Sequence, residues 1–130
     1  MTFKSTIRGV VSALALAASM TAGQAFAEGS IMTPILLNLY VGRLGEAGAP
    51  LHPRIEAELT SHYSHLNSLV RPSGHFVQDS LSAADIMLSF PAEIAVQQGR
   101  GDEFPALAGF VETIHARDAY QRATQAGTNT

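Results

Sequence analysis

Apolar residues recur along residues 31–123 at the three- and four-residue steps of an α-helix. The clearest stripe predicts a helix over residues 53–70, and the charged residues of this segment lie off the stripe. The stripe is formed by Ile55, Leu59, His62, Leu66 and Leu69. An earlier stripe predicts a helix over residues 31–44, formed by Met32, Leu36, Tyr40 and Leu44 with Ile35 and Leu39 beside them. Glycine and proline in residues 45–51 predict a loop between these two helices.

Three more helices follow a short extended stretch at residues 76–77. The third helix begins after Leu81 and should be kinked at Pro91, with one face formed by Met87, Phe90 and Ile94. The fourth runs over about residues 105–116, with inward positions Leu107, Phe110, Val111 and Ile114. A last short helix runs from Asp118 through Ala123, and residues 126–130 are expected to be a flexible tail. No strand alternation is present, so the predicted fold class is all-α, a small helical bundle.

Residues 1–27 differ from the remainder in charge and hydropathy. They contain Lys4 and Arg8 without any acidic residue, then an apolar run over residues 10–18, and then Ala-Phe-Ala at residues 25–27. This order predicts an export signal, and the run is too short for the ~20 residues of a membrane-spanning helix. The mature chain would then begin at Glu28 and be periplasmic or secreted. The alternative is an ordinary apolar helix of a cytoplasmic protein.

Composition excludes several classes of function. The chain has no cysteine, which excludes a disulfide scaffold, a thiolate zinc site and a cysteine nucleophile. Eight basic residues against eleven acidic residues leave no basic surface for nucleic acid. Glu58, His62 and His65 could share a helix face and bind a metal, but His62 belongs to the apolar stripe, so we expect no metal site. No Ser-His-Asp arrangement or phosphate-binding glycine loop is present, and we expect no catalytic residue.

The most specific local signal is Ser82-Ala83-Ala84-Asp85. It predicts a capping box, in which the Ser82 side chain and the Asp85 carboxylate each satisfy a backbone N–H group at the start of a helix. Leu81 and Ile86 flank the box and predict a hydrophobic staple. A serine and an aspartate three residues apart at a helix start indicate a structural role rather than catalysis.

Residues 76–91 (FVQDSLSAADIMLSFP) resemble the C-terminal helical domain of glutathione S-transferases, which has a capping box and staple at the start of its buried helix. Residues 27–34, 105–107 and 114–123 resemble other helices of that domain in the same order, so the resemblance covers about residues 26–125. Gln78 departs from the pattern, because the family usually has glycine there and glutamine would be strained at a positive φ.

The resemblance implies a protein that conjugates glutathione to hydrophobic electrophiles, with this chain supplying the half that forms the electrophile pocket. It assigns pocket residues to the first helix and to one position near the end: Phe26, Ser30, Thr33 and Tyr120. The family's thioredoxin-like domain binds glutathione and activates its thiol, and residues 1–27 are too few for it, since one βαβ unit needs about 30 residues. We therefore expect no cofactor bound by this chain alone, with glutathione only as a co-substrate.

The expected partners are a hydrophobic small molecule and either a second copy of the chain or a thioredoxin-like domain. The competing hypothesis is a non-catalytic helical module for binding or dimerisation, including a truncated gene product. A helical half that normally packs on another domain would expose an apolar face when alone.

Overall fold

The computed structural model describes residues 30–128, which form five α-helices and no strand. The helices are α1 (Met32–Gly42), α2 (His52–Leu69), α3 (Ala83–Gln97), α4 (Pro105–His115) and α5 (Asp118–Thr128). A 3-10 helix, Gly45–Leu51, joins α1 to α2. The predicted all-α class is confirmed. The predicted extended stretch at residues 76–77 is instead part of an irregular segment between α2 and α3.

The helix starts agree closely with the predicted starts because prolines mark two of them. Pro53 and Pro105 lie in the first turns of α2 and α4, where a missing N–H group costs nothing. α3 continues through Pro91 to Gln97. α5 reaches Thr128, so the predicted end at Ala123 is too early, and part of the expected tail is helical.

The core is formed mainly by α2, α3 and α4, and the α4 prediction is confirmed at every position. Its four predicted inward residues are all buried. In α2, Ile55, Leu59 and Leu66 are buried as predicted, but Leu69 is exposed. Tyr63 is fully buried, whereas His62 is only half-buried. The predicted stripe is therefore wrong by one position at this turn of α2.

The buried face of α1 differs from the predicted stripe. Leu36, Leu39, Tyr40 and Leu44 expose 42–59% of their surface, whereas Ile31, Pro34, Ile35 and Val41 are buried. Apolar residues occur all round α1, so helical spacing alone could not identify the side that packs on α2.

α3 also turns a different face inward than predicted. Its buried positions are mostly small side chains, Ala84, Ala92 and Ala95, together with Leu88 and Pro91, while Phe90 exposes 53% of its surface. Met87 and Ile94 are half-buried at the edge of the core. Small residues allow α3 to lie close to α4, its main packing partner, and a search for large apolar residues overlooks them.

Two polar contacts fix the ends of the central helices. The Asn67 side-chain oxygen on α2 accepts from the backbone N–H groups of Ala106 (2.9 Å) and Leu107 (3.1 Å), which have no partner within the first turn of α4. At the carboxyl end of α3, Gly99 has a φ of 78°, and the N–H of Arg100 donates to the carbonyl of Ala95 at 3.1 Å. This Schellman turn ends α3 and directs Arg100 toward α2.

No described residue other than glycine has a positive φ. Gln78 therefore adopts an ordinary backbone conformation and is not strained by a positive φ.

Candidate functional site

An open groove of about 440 Å³ lies beside the first turns of α1 and α2. α1 contributes Thr33 and Leu37, the 3-10 helix contributes Leu51, and α2 contributes Arg54, Ile55 and Glu58. Leu37 and Leu51 expose 40% and 47% of their surface, so apolar area is available to a ligand. On the polar side of the groove, Arg54 Nε lies 3.4 Å from Glu58 Oε1.

The predicted pocket residues do not meet in one place. Thr33 lines the groove beside α1, and Ser30 is exposed two residues before that helix begins. Tyr120 instead lines a separate groove between α3, α4 and α5. Phe26, like the predicted signal at residues 1–27, lies outside the described residues. Of the four predicted residues, Thr33 is thus the one placed in the groove beside α1.

Tyr120 belongs to a polar cluster that joins the last three helices. His115 Nε2 lies 3.1 Å from Glu93 Oε1, and the His115 ring stacks on the Tyr120 ring with centroids 4.3 Å apart. Burial, the negative charge of Glu93 and a hydrogen bond to that carboxylate raise the pKa of Tyr120. His115 ends α4, as a residue favoured by the helix dipole should, but its role here is to link α3 to α5.

Ser82 and Asp85 form the capping box at the start of α3. The Asp85 carboxylate accepts from the Ser82 backbone N–H at 2.7 Å, and the Asp85 N–H donates to Ser82 Oγ at 3.4 Å. Asp85 is fully buried and also accepts from the Phe76 backbone N–H at 2.8 Å. Buried His75 places Nδ1 3.5 Å from the same carboxylate, which is an ion-pair distance rather than a hydrogen bond. The carboxylate thus holds structure together and is not available for chemistry.

Ile86, the second half of the predicted staple, exposes 61% of its surface, while Leu81 is half-buried. Both residues line the groove that contains Tyr120.

A second polar cluster, centred on Arg100, was not predicted from the sequence. Its guanidinium donates to Glu103 at 2.9 Å and to Thr60 at 2.7 Å, and it lies over the rings of Tyr63 and Phe104. Arg100 Nη1 is also 3.1 Å from Glu56 Oε1, close enough for an ion pair although the angle does not suit a hydrogen bond. The hydrogen bond with Glu103 raises the pKa of Arg100 and lowers that of Glu103.

Tyr63 lies beneath this cluster and is fully buried. Burial raises its pKa to about 12, and its hydroxyl has no hydrogen-bond partner among the described residues. A phenol that stays protonated at neutral pH in the core is a packing residue, not an acid or base.

Over residues 30–128, no group of three histidine, aspartate or glutamate side chains is arranged to hold a metal ion. In the same part of the chain, none of the helices combines the length and apolarity needed to cross a bilayer.

Comparison with curated proteins finds glutathione S-transferase 1 of Saccharomyces cerevisiae, which is 22% identical over 125 residues. The alignment covers 80% of this chain and 53% of the yeast protein. The resemblance to the glutathione S-transferases is confirmed. The chain spans about half the length of this relative, and its all-helical fold agrees with the C-terminal domain type of the glutathione S-transferases. No family model matches the chain, and no solved structure matches it.

Proposed function

We propose that this chain supplies the helical half of a glutathione S-transferase-type protein and forms one wall of a pocket for a hydrophobic electrophile. The observation that carries the proposal is the match to the yeast glutathione S-transferase over most of this chain, together with the all-helical fold that the match implies. In the proposed reaction, glutathione gives its thiol proton to solvent or to a base outside this chain, and the thiolate forms a C–S bond to the electrophilic carbon. With chlorodinitrobenzene, the C–Cl bond breaks and chloride leaves.

The groove beside α1 is the proposed wall of the electrophile pocket. Leu37, Leu51 and Ile55 provide apolar surface for the body of the electrophile, and Thr33 lines the same wall of the groove. The groove is open, so a second surface is needed to enclose a ligand and to exclude water from the reaction.

Thiol activation is assigned to a thioredoxin-like domain outside the described residues. A glutathione thiolate forms near neutral pH only where a donor or cation stabilises it. In the groove, the one cation is Arg54, whose Nε is already engaged by Glu58. We therefore infer that residues 30–128 do not conjugate glutathione without a partner.

The partner is either that domain or a second copy of the chain. Leu36, Leu39 and Tyr40 on α1, with Leu44 just after the helix, form an exposed apolar face, and this face supports a contact with another folded unit.

The test measures conjugation of glutathione to chlorodinitrobenzene by the full chain, alone and after addition of a thioredoxin-like domain from a glutathione S-transferase. We expect no rate above the uncatalysed reaction for the chain alone. NMR titration with chlorodinitrobenzene should shift the signals of Thr33 and Leu37. Leu37→Ser should weaken binding about fivefold, since it removes part of a leucine contact worth ~1 kcal/mol.

Ser89→Ala is the matched control, because Ser89 lines only the groove that contains Tyr120. Turnover by the chain alone would overturn the requirement for a partner. Shifts confined to Tyr120 and its neighbours would overturn the choice of groove.

A second candidate function is a non-catalytic helical module, and the same exposed face of α1 favours it. If partner domains never restore conjugation but the chain dimerises in light scattering, and Tyr40→Lys abolishes the dimer, this second function is the correct one. Export by residues 1–27 remains a prediction, and amino-terminal sequencing of the expressed protein would show whether it begins at Glu28.

A further inference from the structure

A small groove between α3, α4 and α5 is chemically different from the groove beside α1. It has a volume of about 200 Å³, is open to solvent on one side and is mostly apolar, with Leu81, Ile86, Ile114 and Ala119 forming its walls. An apolar cavity of about 150 Å³ is large enough to hold benzene. The groove therefore has room for a single ring or a short branched chain.

The charges around this groove favour an anion. Arg117 is part of its lining, and no acidic side chain lines it. Arg117 forms no ion pair with a described residue, unlike Arg54, Arg71 and Arg100.

The polar cluster nearest to this groove contains Glu93, whose carboxylate already has a partner within the cluster. Glu93 is only 16% exposed at its side chain and lies 3.1 Å from His115 Nε2, and the His115 ring stacks on the Tyr120 ring. Arg117 is thus the charged group left to interact with a molecule in the groove.

We propose that this groove is a binding site for a small aromatic carboxylate, with the ring between Ile86, Ile114 and Ala119 and the carboxylate on Arg117. The site is separate from the proposed electrophile groove and does not depend on it, because the two share no lining residue. The chain as a whole carries a net charge of -3, so general attraction does not account for anion binding here.

The test is an NMR titration of the full chain with 3-phenylpropionate, repeated with the uncharged amide of the same acid. We expect the carboxylate to shift the signals of Ile86, Ile114 and Ala119 and to bind about fivefold more tightly than the amide, the size expected of one exposed charge contact. Arg117→Gln should remove this preference. Arg122→Gln is the matched control, since Arg122 lies on α5 outside the groove.

Ala119→Leu tests the groove itself, because it places a larger side chain in the lining with little loss of helix propensity. It should abolish binding of both ligands, and circular dichroism should show an unchanged helix content. Equal affinity of the carboxylate and the amide would overturn the role of Arg117. Absence of shifts in these groove residues, shifts at Thr33 instead, or binding that persists in Ala119→Leu would overturn the site.

Discussion

Removal of the Asp85 carboxylate should destabilise the protein more than any surface change. This carboxylate is fully buried and accepts from three donors, namely the Ser82 N–H (2.7 Å), the Ser82 hydroxyl (2.9 Å) and the Phe76 N–H (2.8 Å). It therefore holds two segments at once, the first turn of α3 and the irregular segment before it. The ring of Phe76 packs edge-to-face on Phe110 of the core, with centroids 4.7 Å apart.

The magnitude follows from these contacts. In Asp85→Ala the Ser82 hydroxyl can still cap α3, because the backbone N–H from which it accepts is retained. The cost comes from the backbone N–H groups of Ser82 and Phe76, which lose their acceptor at ~1–3 kcal/mol each, with the lower value appropriate for half-buried Phe76. We therefore expect Asp85→Ala to lower the free energy of unfolding by about 2–4 kcal/mol. In a domain of this size, such a loss lowers the Tm by about 8 °C or more.

Urea denaturation followed by far-ultraviolet circular dichroism measures this change directly. Asp79→Ala is the matched control, because Asp79 is an exposed acid whose carboxylate forms only a surface ion pair with Arg71 at 3.1 Å. Its loss should cost less than about 1 kcal/mol. If Asp85→Ala is no more destabilising than Asp79→Ala, the bonds to Ser82 and Phe76 do not contribute as argued.

Two further changes test the cluster around Arg100. Arg100→Met should lower the free energy of unfolding by about 2 kcal/mol in urea denaturation, since it removes charge-assisted hydrogen bonds and the contacts over two rings; a loss below about 0.5 kcal/mol would contradict this. Tyr63→Phe should be neutral or stabilising at pH 7, because the hydroxyl has no partner in the described part of the chain. Since the folded-state pKa of Tyr63 is raised from 10.0 to about 12, the wild type should lose about 2 kcal/mol of stability as the pH rises from 10 to 12, and the variant should lack this loss.

The parts of the fold that the sequence predicted well depend on local rules. The Ser82–Asp85 box and the buried face of α4 depend on residues three or four positions apart, and such residues are neighbours in any α-helix. The proline at the start of α4 likewise acts only on its own turn. The structure agrees at each of these positions.

The features that the sequence did not predict depend on contacts between residues that are far apart along the chain. Arg100 bonds Thr60 across 40 positions, and Asn67 caps α4 across 39 positions, so neither contact leaves a periodic signal in the sequence. The face of α3 was misjudged because alanines fill the closest helix contact, while Phe90 remains outside. In the candidate site, Thr33 and Tyr120 were placed together by resemblance alone, and the path of the chain separates them.

The apolar side of α1 that was predicted to be buried is exposed, and this exposure bears on the proposed function. Six of the nine exposed large hydrophobic side chains in the described part of the chain lie in residues 36–51. Exposure of so many apolar side chains to water is unfavourable, and packing within residues 30–128 does not bury them. A partner surface on Leu36, Leu39, Tyr40 and Leu44 would bury four of these six residues and would also pass close to Leu37, at the edge of the groove beside α1. One contact would then remove the apolar face from water and enclose an otherwise open groove, so partner binding and electrophile binding should strengthen each other.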